Sequence, residues 1–246
     1  MLKDFSKERF DIIIQGGQSN ADGTGFGDAD APFENDGRIW YLKPDFTVSL
    51  ACERVGGNNI AGDFSLAFST KYIKAGLLAG GRNLLIIRAA VGGTGFSDKR
   101  WGPKDDLFLK LVEMIKTARG LNPENRFAAF IWHQGETDWG ASFETHFVNL
   151  SVLLNAVRAE TGNPKLPFAA GDFVPRWRDA NTAGEEQPVR RAVREVCAQR
   201  QPAVFVDSEG LLSNAQKNGG DDTIHFCRDS LNVFGGRYFD ALHKFL

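Results

Sequence analysis

The chain has 246 residues, of which 42% are hydrophobic and 24% charged, and its formal net charge is -2. That composition belongs to a globular protein with ample apolar material for a core, and the length fits a single α/β domain over residues 1–246. Acidic and basic residues are interspersed without a basic block, and no apolar run approaches the roughly 20 residues needed to span a bilayer, which argues against nucleic-acid and membrane partners.

Cys52, Cys197 and Cys227 show no CxxC spacing and cannot all pair, so a disulfide framework is not expected and a reducing compartment fits. The N-terminal "MLKDFSKERF" lacks the apolar segment of a secretion signal, which predicts a cytoplasmic protein; a signal trimmed ahead of it would make the protein secreted instead.

Along the chain, strand and helix patterns alternate. The first apolar run is "DIII" (11–14), which stops at "QGGQSN". A long Gly-, Asp- and Asn-rich stretch from Ala21 to Asp63 reads as a loop region, and loops of that length in a compact domain are usually functional. "SLAFSTKYIKAGLLAG" (65–80) reads as a helix, followed by the strand "LLIIRAAV" (84–91). Phe108, Leu111, Val112 and Ile115 recur at helical spacing, stopping at Gly120, and "FAAFIW" (127–132) is the third strand. Phe143, Phe147, Leu150 and Leu154 mark another helix ending near Gly162. "PFAAGDFV" (167–174) is the fourth strand, Pro188 opens a helix, and "AVFVD" (203–207) is the fifth strand. Leu231, Phe234, Tyr238 and Leu242 mark a last helix, weakened on propensity by Gly235 and Gly236. Near-continuous apolar strands alternating with amphipathic helices predict a three-layer α/β/α sandwich around a five-stranded parallel sheet.

In such sheets ligands bind at the carboxyl ends of the strands. The segments expected there are "QGGQSN", "GGTGF" (92–96), "HQGETDW" (133–139), Asp172 and the later "DDTIHF" (221–226). Together they supply the parts for acyl transfer. Ser19 needs a base to become a nucleophile, and His225 in a polar loop is the best one. Asp222, three residues earlier, can reach the imidazole within one turn, and Glu136 is a second acid. The Gln134 amide and the backbone N–H groups of Ser19 and Gly93 are suited to a developing oxyanion. Each feature alone has a plainer explanation: a serine after two glycines is usually a turn residue, and a DxxH spacing is common. His133 and Glu136 resemble metal ligands but lack a third with convincing spacing, so no metal is expected. The conjunction of blocks carries the catalytic reading.

"GQSN" (17–20), "GGT" (92–94), "WHQGETD" (132–138) and "DDTIHF" (221–226), in this order across most of the chain, resemble the SGNH hydrolase superfamily. Within it they are similar to the sialate O-acetylesterase and acetylxylan esterase group that includes carbohydrate esterase family 6. The resemblance implies a flavodoxin-like fold and serine esterase chemistry on sugar O-acetyl groups, without metal or organic cofactor. It implies Ser19 as nucleophile, His225 as base, and Ser19, Gly93 and Gln134 as oxyanion donors, with the supporting acid open between Asp222 and Glu136. The residues around Ser19 do not form GxSxG, which disfavours a nucleophile elbow.

For an acetylated carbohydrate substrate, Gln18, Asn20, Trp101, Trp139, Asp172 and Arg176 are the expected contacts, the tryptophans by packing on sugar rings. Trp40, Tyr41 and Arg54 are expected to wall the pocket. Two other classes remain open: a lipid or thioester esterase of the same superfamily, and a non-catalytic carbohydrate-binding protein.

Overall fold

The computed structural model describes residues 4–56, 59–182 and 186–246. A seven-stranded sheet organises the chain: β1 (Arg9–Gly17), β2 (Ile39–Leu42), β3 (Val48–Leu50), β6 (Arg82–Arg88), β7 (Arg126–His133), β8 (Phe168–Gly171) and β9 (Ala203–Val206). The order is β3-β2-β6-β1-β7-β8-β9, and β4 (Arg54–Gly56) with β5 (Asn59–Ala61) forms a separate hairpin. All pairs in the large sheet are parallel except β2 with β3.

Side-chain alternation splits each strand between two cores. In β1, Phe10, Ile12 and Ile14 enter one core, while Ile13 enters the other. The first core is completed by α3 (Asp106–Leu121), α4 (Phe143–Glu160) and α6 (Pro188–Gln199), and the second by α2 (Phe64–Lys74) and α8 (Arg228–Leu242). Because both faces are covered, the central strands carry apolar residues on both sides, which is why they read as continuous runs. Helix starts follow local chemistry: Asp63 caps α2 through the Ser65 N–H, Ser142 caps α4 through the Thr145 N–H, and Pro188 occupies the first turn of α6. Short helices α1 (Ser19–Asp22), α5 (Pro175–Ala180) and α7 (Asn214–Asn218) sit in the connections.

The three-layer α/β/α architecture is as expected, but the sheet has seven strands rather than five. The difference lies in the stretch read as a loop, which contains β2 to β5. β2 is only four residues long, too short to show a period, and it is held by pairing with β6, with Tyr41 opposite Ile86. That support is non-local and leaves no trace in the local pattern. The last helix forms despite its two glycines because α8 crosses α2 closely: a Cβ on Gly235 would lie 2.0 Å from the Phe64 carbonyl oxygen.

A glycine also decides the geometry where β1 ends. Gly17 has φ 128°, and a Cβ there would stand 2.0 Å from the His133 carbonyl oxygen. Only glycine permits this conformation and this approach of β1 to β7.

Toward the other end of β1, Asp11 is fully buried. It accepts hydrogen bonds from Arg82 (2.6 Å), Arg126 (2.6 and 2.7 Å) and Tyr72 (2.8 Å). Burial pushes this carboxyl up, but the donors Arg126, Arg82 and Tyr72 outweigh it and hold it below the usual value. A depressed folded-state value stabilises the fold above the unfolded-state value, about 3.9, and the contribution is lost as pH falls through the folded one. Asp11→Asn is expected to lower stability by about 2 kcal/mol at pH 7, with the gap to the parent narrowing in acid. Urea unfolding of both proteins across acid and neutral pH measures it.

Candidate active site

β1 hands the chain to a sharp turn at Gly17 and then to α1, whose first residue is Ser19. The Ser19 Oγ lies 2.9 Å from His225 Nε2. The opposite ring nitrogen of His225, Nδ1, lies 2.9 and 3.0 Å from the two Asp222 carboxylate oxygens. A carboxylate only accepts, so Nδ1 carries the hydrogen and Nε2 presents its lone pair to the Ser19 hydroxyl. Ser19, His225 and Asp222 therefore stand in one hydrogen-bonded line. Ser19 retains 8% exposure, and His225 and Asp222 are more open.

The histidine loop is built from several directions. Asp222 Oδ1 also accepts the His225 N–H at 3.2 Å, and Asn214 Nδ2 donates to Asp222 Oδ2 at 2.8 Å. Asn214 further accepts the Phe26 N–H and donates to the Thr24 carbonyl, tying this loop to the segment after α1. Asn214 is not among the residues expected at the site. Its signal was "SNAQ" ahead of the DxxH: Ser213 and Gln216 form a capping box that starts α7.

Glu136 lies elsewhere. Its buried carboxylate accepts from Asn20 Nδ2 at 2.8 Å and stands 3.5 Å from His133 Nδ1, so the acid paired with His225 is Asp222. Gln134 Nε2 donates to Asp138 at 2.8 Å and, over a long 3.4 Å, to Gln18 Oε1. The "GGT" turn faces the serine: a Cβ on Gly92, the residue before the expected Gly93, would sit 3.6 Å from that of Ser19. Gly93 is exposed, with φ 69°.

Asp138 links these two loops. It accepts the N–H groups of Phe96 and Ser97, both at 2.9 Å, as well as the Gln134 amide. Burial raises its carboxyl, and the hydrogen bonds of Ser97, Phe96 and Gln134 more than reverse that, leaving it lowered. Behind it, burial pushes His146 down to about 4 against the pull of Asp138.

Several expected sugar contacts are corrected by their burial. Trp101 is fully buried, edge-on to Trp132 at 5.0 Å, and its Nε1 donates to Thr94 Oγ1, so it braces the "GGT" turn from inside. Asp172 is fully buried and paired with Arg178 and Arg190. Asn20 is fully buried as well. Gln18 is turned inward, its Oε1 accepting the Thr137 N–H at 3.1 Å. Loop prediction located these residues at the right edge, but the side chains satisfy buried backbone and charge instead of facing solvent. Trp139 is half-buried against Phe173 and Trp177, and Arg176 is exposed on α5.

Open space lies on the other side of α1. A cavity of about 560 Å³ is lined by Asp22, Tyr41, Lys43, Arg54, Arg88 and Ala90 among others. It starts three residues after the serine and two before Gly92. Tyr41 and Arg54 are thus at the wall, as expected; Trp40 is not among the lining residues. Burial raises the Asp22 carboxyl above its ordinary value despite Arg88 and Arg54. Among the described residues one carboxylate group, Asp172, Asp207 and Glu209, has metal-like spacing, but Arg178 bonds both Asp172 and Glu209, so arginine fills the role a cation would have.

Replacing Asp138 by alanine strands two backbone N–H groups and frees the turn beside Ser19. The expected loss is about 1–3 kcal/mol of stability, with faster amide hydrogen exchange at Phe96 and Ser97. Exchange mass spectrometry with urea unfolding checks both.

A family model described as carbohydrate esterase, sialic acid-specific acetylesterase, matches residues 9–244. Among solved structures, NanS superposes with TM-score 0.77 at 19% identity, covering 98% of each chain. A protein from Arabidopsis thaliana gives 0.74 at 20% identity, over 96% of this chain and 99% of that one. A carbohydrate acetylesterase from Xanthomonas citri, XAC1771, gives 0.62 at 20% identity, over 94% of this chain and 55% of its own. No curated protein sequence matches the chain. At these identities the neighbours speak for the fold, and the match over nearly the whole length speaks for the family: the chain belongs to the sialic acid-specific acetylesterase family of carbohydrate esterases.

Proposed function

We propose that the protein is a serine O-acetylesterase acting on acetylated sugars through an acyl-enzyme intermediate. The observation that carries this reading is the line from Ser19 Oγ to His225 Nε2, 2.9 Å, and from His225 Nδ1 to Asp222, 2.9 Å. In the first step Ser19 Oγ attacks the acetyl carbonyl and passes its proton to His225 Nε2. The imidazolium then protonates the sugar oxygen as the ester C–O bond breaks, leaving acetyl-Ser19. In the second step His225 takes a proton from water, the water oxygen attacks the acyl carbon, and acetate leaves as Ser19 recovers its proton. Asp222 stabilises the imidazolium in both steps.

The developing oxyanion is met by the N–H groups of Ser19 and Gly93. The Gln134 hydrogen that makes only a weak 3.4 Å contact with Gln18 is the one available to it, the other being held by Asp138. Acetate is small, and the cavity beside α1 carries Asp22, Lys43, Arg54 and Arg88 beside Tyr41, groups able to hydrogen-bond a hydroxyl-rich acyl carrier. Family membership puts acetylated sialic acid first on the list of sugars to test, with acetylated xylan next.

Ser19→Ala is expected to lower acetate release on the order of 10⁶-fold without unfolding the protein, and Asp222→Asn by about 10⁴-fold. Acetate release from a panel of acetylated glycans and from nitrophenyl acetate measures both. Full activity in Ser19→Ala sinks the reading. So does failure of an organophosphonate to label Ser19, which is the behaviour of a binding protein.

A further inference from the structure

Asn20 directly follows the nucleophile, yet it points inward, and every polar function of its amide is used. Its Oδ1 accepts the Phe226 N–H at 3.0 Å. Its Nδ2 donates to the Ile224 carbonyl at 3.1 Å and to Glu136 Oε1 at 2.8 Å. One side chain thus grips the backbone on both sides of His225. His133 stands behind Glu136. His133 Nε2 lies 3.0 Å from the Asp172 carbonyl, which can only accept, so that nitrogen carries a hydrogen and Nδ1 faces Glu136 at 3.5 Å. Phe173, Phe226 and Phe234 close edge-on around the His133 ring, with centroids 5.8–5.9 Å away. Glu136 is 7% exposed and Asn20 is fully buried.

We propose that Asn20 and Glu136 form a positioning pair: the Glu136 carboxylate fixes the amide of Asn20, and Asn20 sets the position of His225 against Ser19. The inference rests on the serine esterase reading, in which His225 is the base. Glu136 touches no reacting atom. Its Oε1 accepts from Nδ2, which, with the Ile224 carbonyl, keeps the amide NH2 on that side and leaves Oδ1 for the Phe226 N–H. A displacement of the imidazole by about 1 Å is enough to cost on the order of 10²-fold in rate.

The test uses Asn20→Asp, Glu136→Gln and the double variant, with Glu136→Leu as a second route. Asn20→Asp sets two carboxylates face to face and removes the donor. In the double variant the amide introduced by Glu136→Gln donates to the carboxylate introduced by Asn20→Asp, which restores the pair with its polarity reversed. Kinetics on nitrophenyl acetate are read beside the rate and stoichiometry of Ser19 labelling by an organophosphonate. A folding defect lowers the labelled fraction; a displaced His225 lowers the labelling rate at full stoichiometry. Asn20→Asp is expected to lose about 10²-fold in kcat and in labelling rate, with KM unchanged. Glu136→Leu, which removes the acceptor without pairing two carboxylates, is expected to slow both in the same way. The double variant is expected to recover part of the Asn20→Asp loss, the bond to the Ile224 carbonyl staying broken in both.

Multiplied losses in the double variant, or parent-like labelling rates in Asn20→Asp and Glu136→Leu, overturn the proposal. So does a Glu136→Gln loss as deep as that of Asp222→Asn, which makes Glu136 the supporting acid. Retained activity in Ser19→Ala fells the esterase reading and this proposal together. A dead Ser19→Ala beside an unimpaired Asn20→Asp fells the positioning role alone.

Discussion

At the end of β1 the backbone of Gly17 presses so closely on the His133 carbonyl that no side chain fits between them. Much of the site follows from this contact. The next residue, Gln18, donates its N–H to the same carbonyl at 2.9 Å and accepts the Thr137 N–H on its side chain. The turn carrying Ser19 and the loop carrying Gln134 and Glu136 are therefore one mechanical unit. The histidine loop joins that unit through Asn20, and through Asn214 to Thr24 and Phe26.

Four buried or half-buried carboxylates show how partners decide what an acid does here. Asp11 and Asp172 are each met by two arginines and serve only to hold the ends of strands. Asp138 is satisfied by backbone N–H groups and an amide, and so joins two loops. Asp222 is paired with an imidazole and remains the most open of the four. The residue type is the same throughout; the donors around it separate structure from chemistry.

The layers and central strands were legible because strands covered on both faces must be apolar throughout, and "DIII", "LLIIRAAV" and "FAAFIW" show this without any partner. β2 was not, because so short a strand owes its existence to pairing with β6, 45 positions away, and β3 in turn pairs only with β2. Ser19, Asp222 and His225 were legible from spacing and chemistry. Trp101, Asp172 and Asn20 were placed at the right edge of the sheet but on the wrong side of its surface. A loop residue's depth depends on which buried groups need a partner, and Thr94, Arg190 and Phe226 became visible as those groups only in three dimensions.

Ser19 and His225 stand 206 residues apart in the chain. A ribosome adding about 5–20 residues per second needs roughly 10–40 s to travel from one to the other. Throughout that interval the serine is an ordinary hydroxyl, however well its turn has formed on β7. The histidine loop leads directly into α8, which packs on α2. On the proposed reading, ester hydrolysis therefore begins only once His225 has been added and its loop has closed on Ser19.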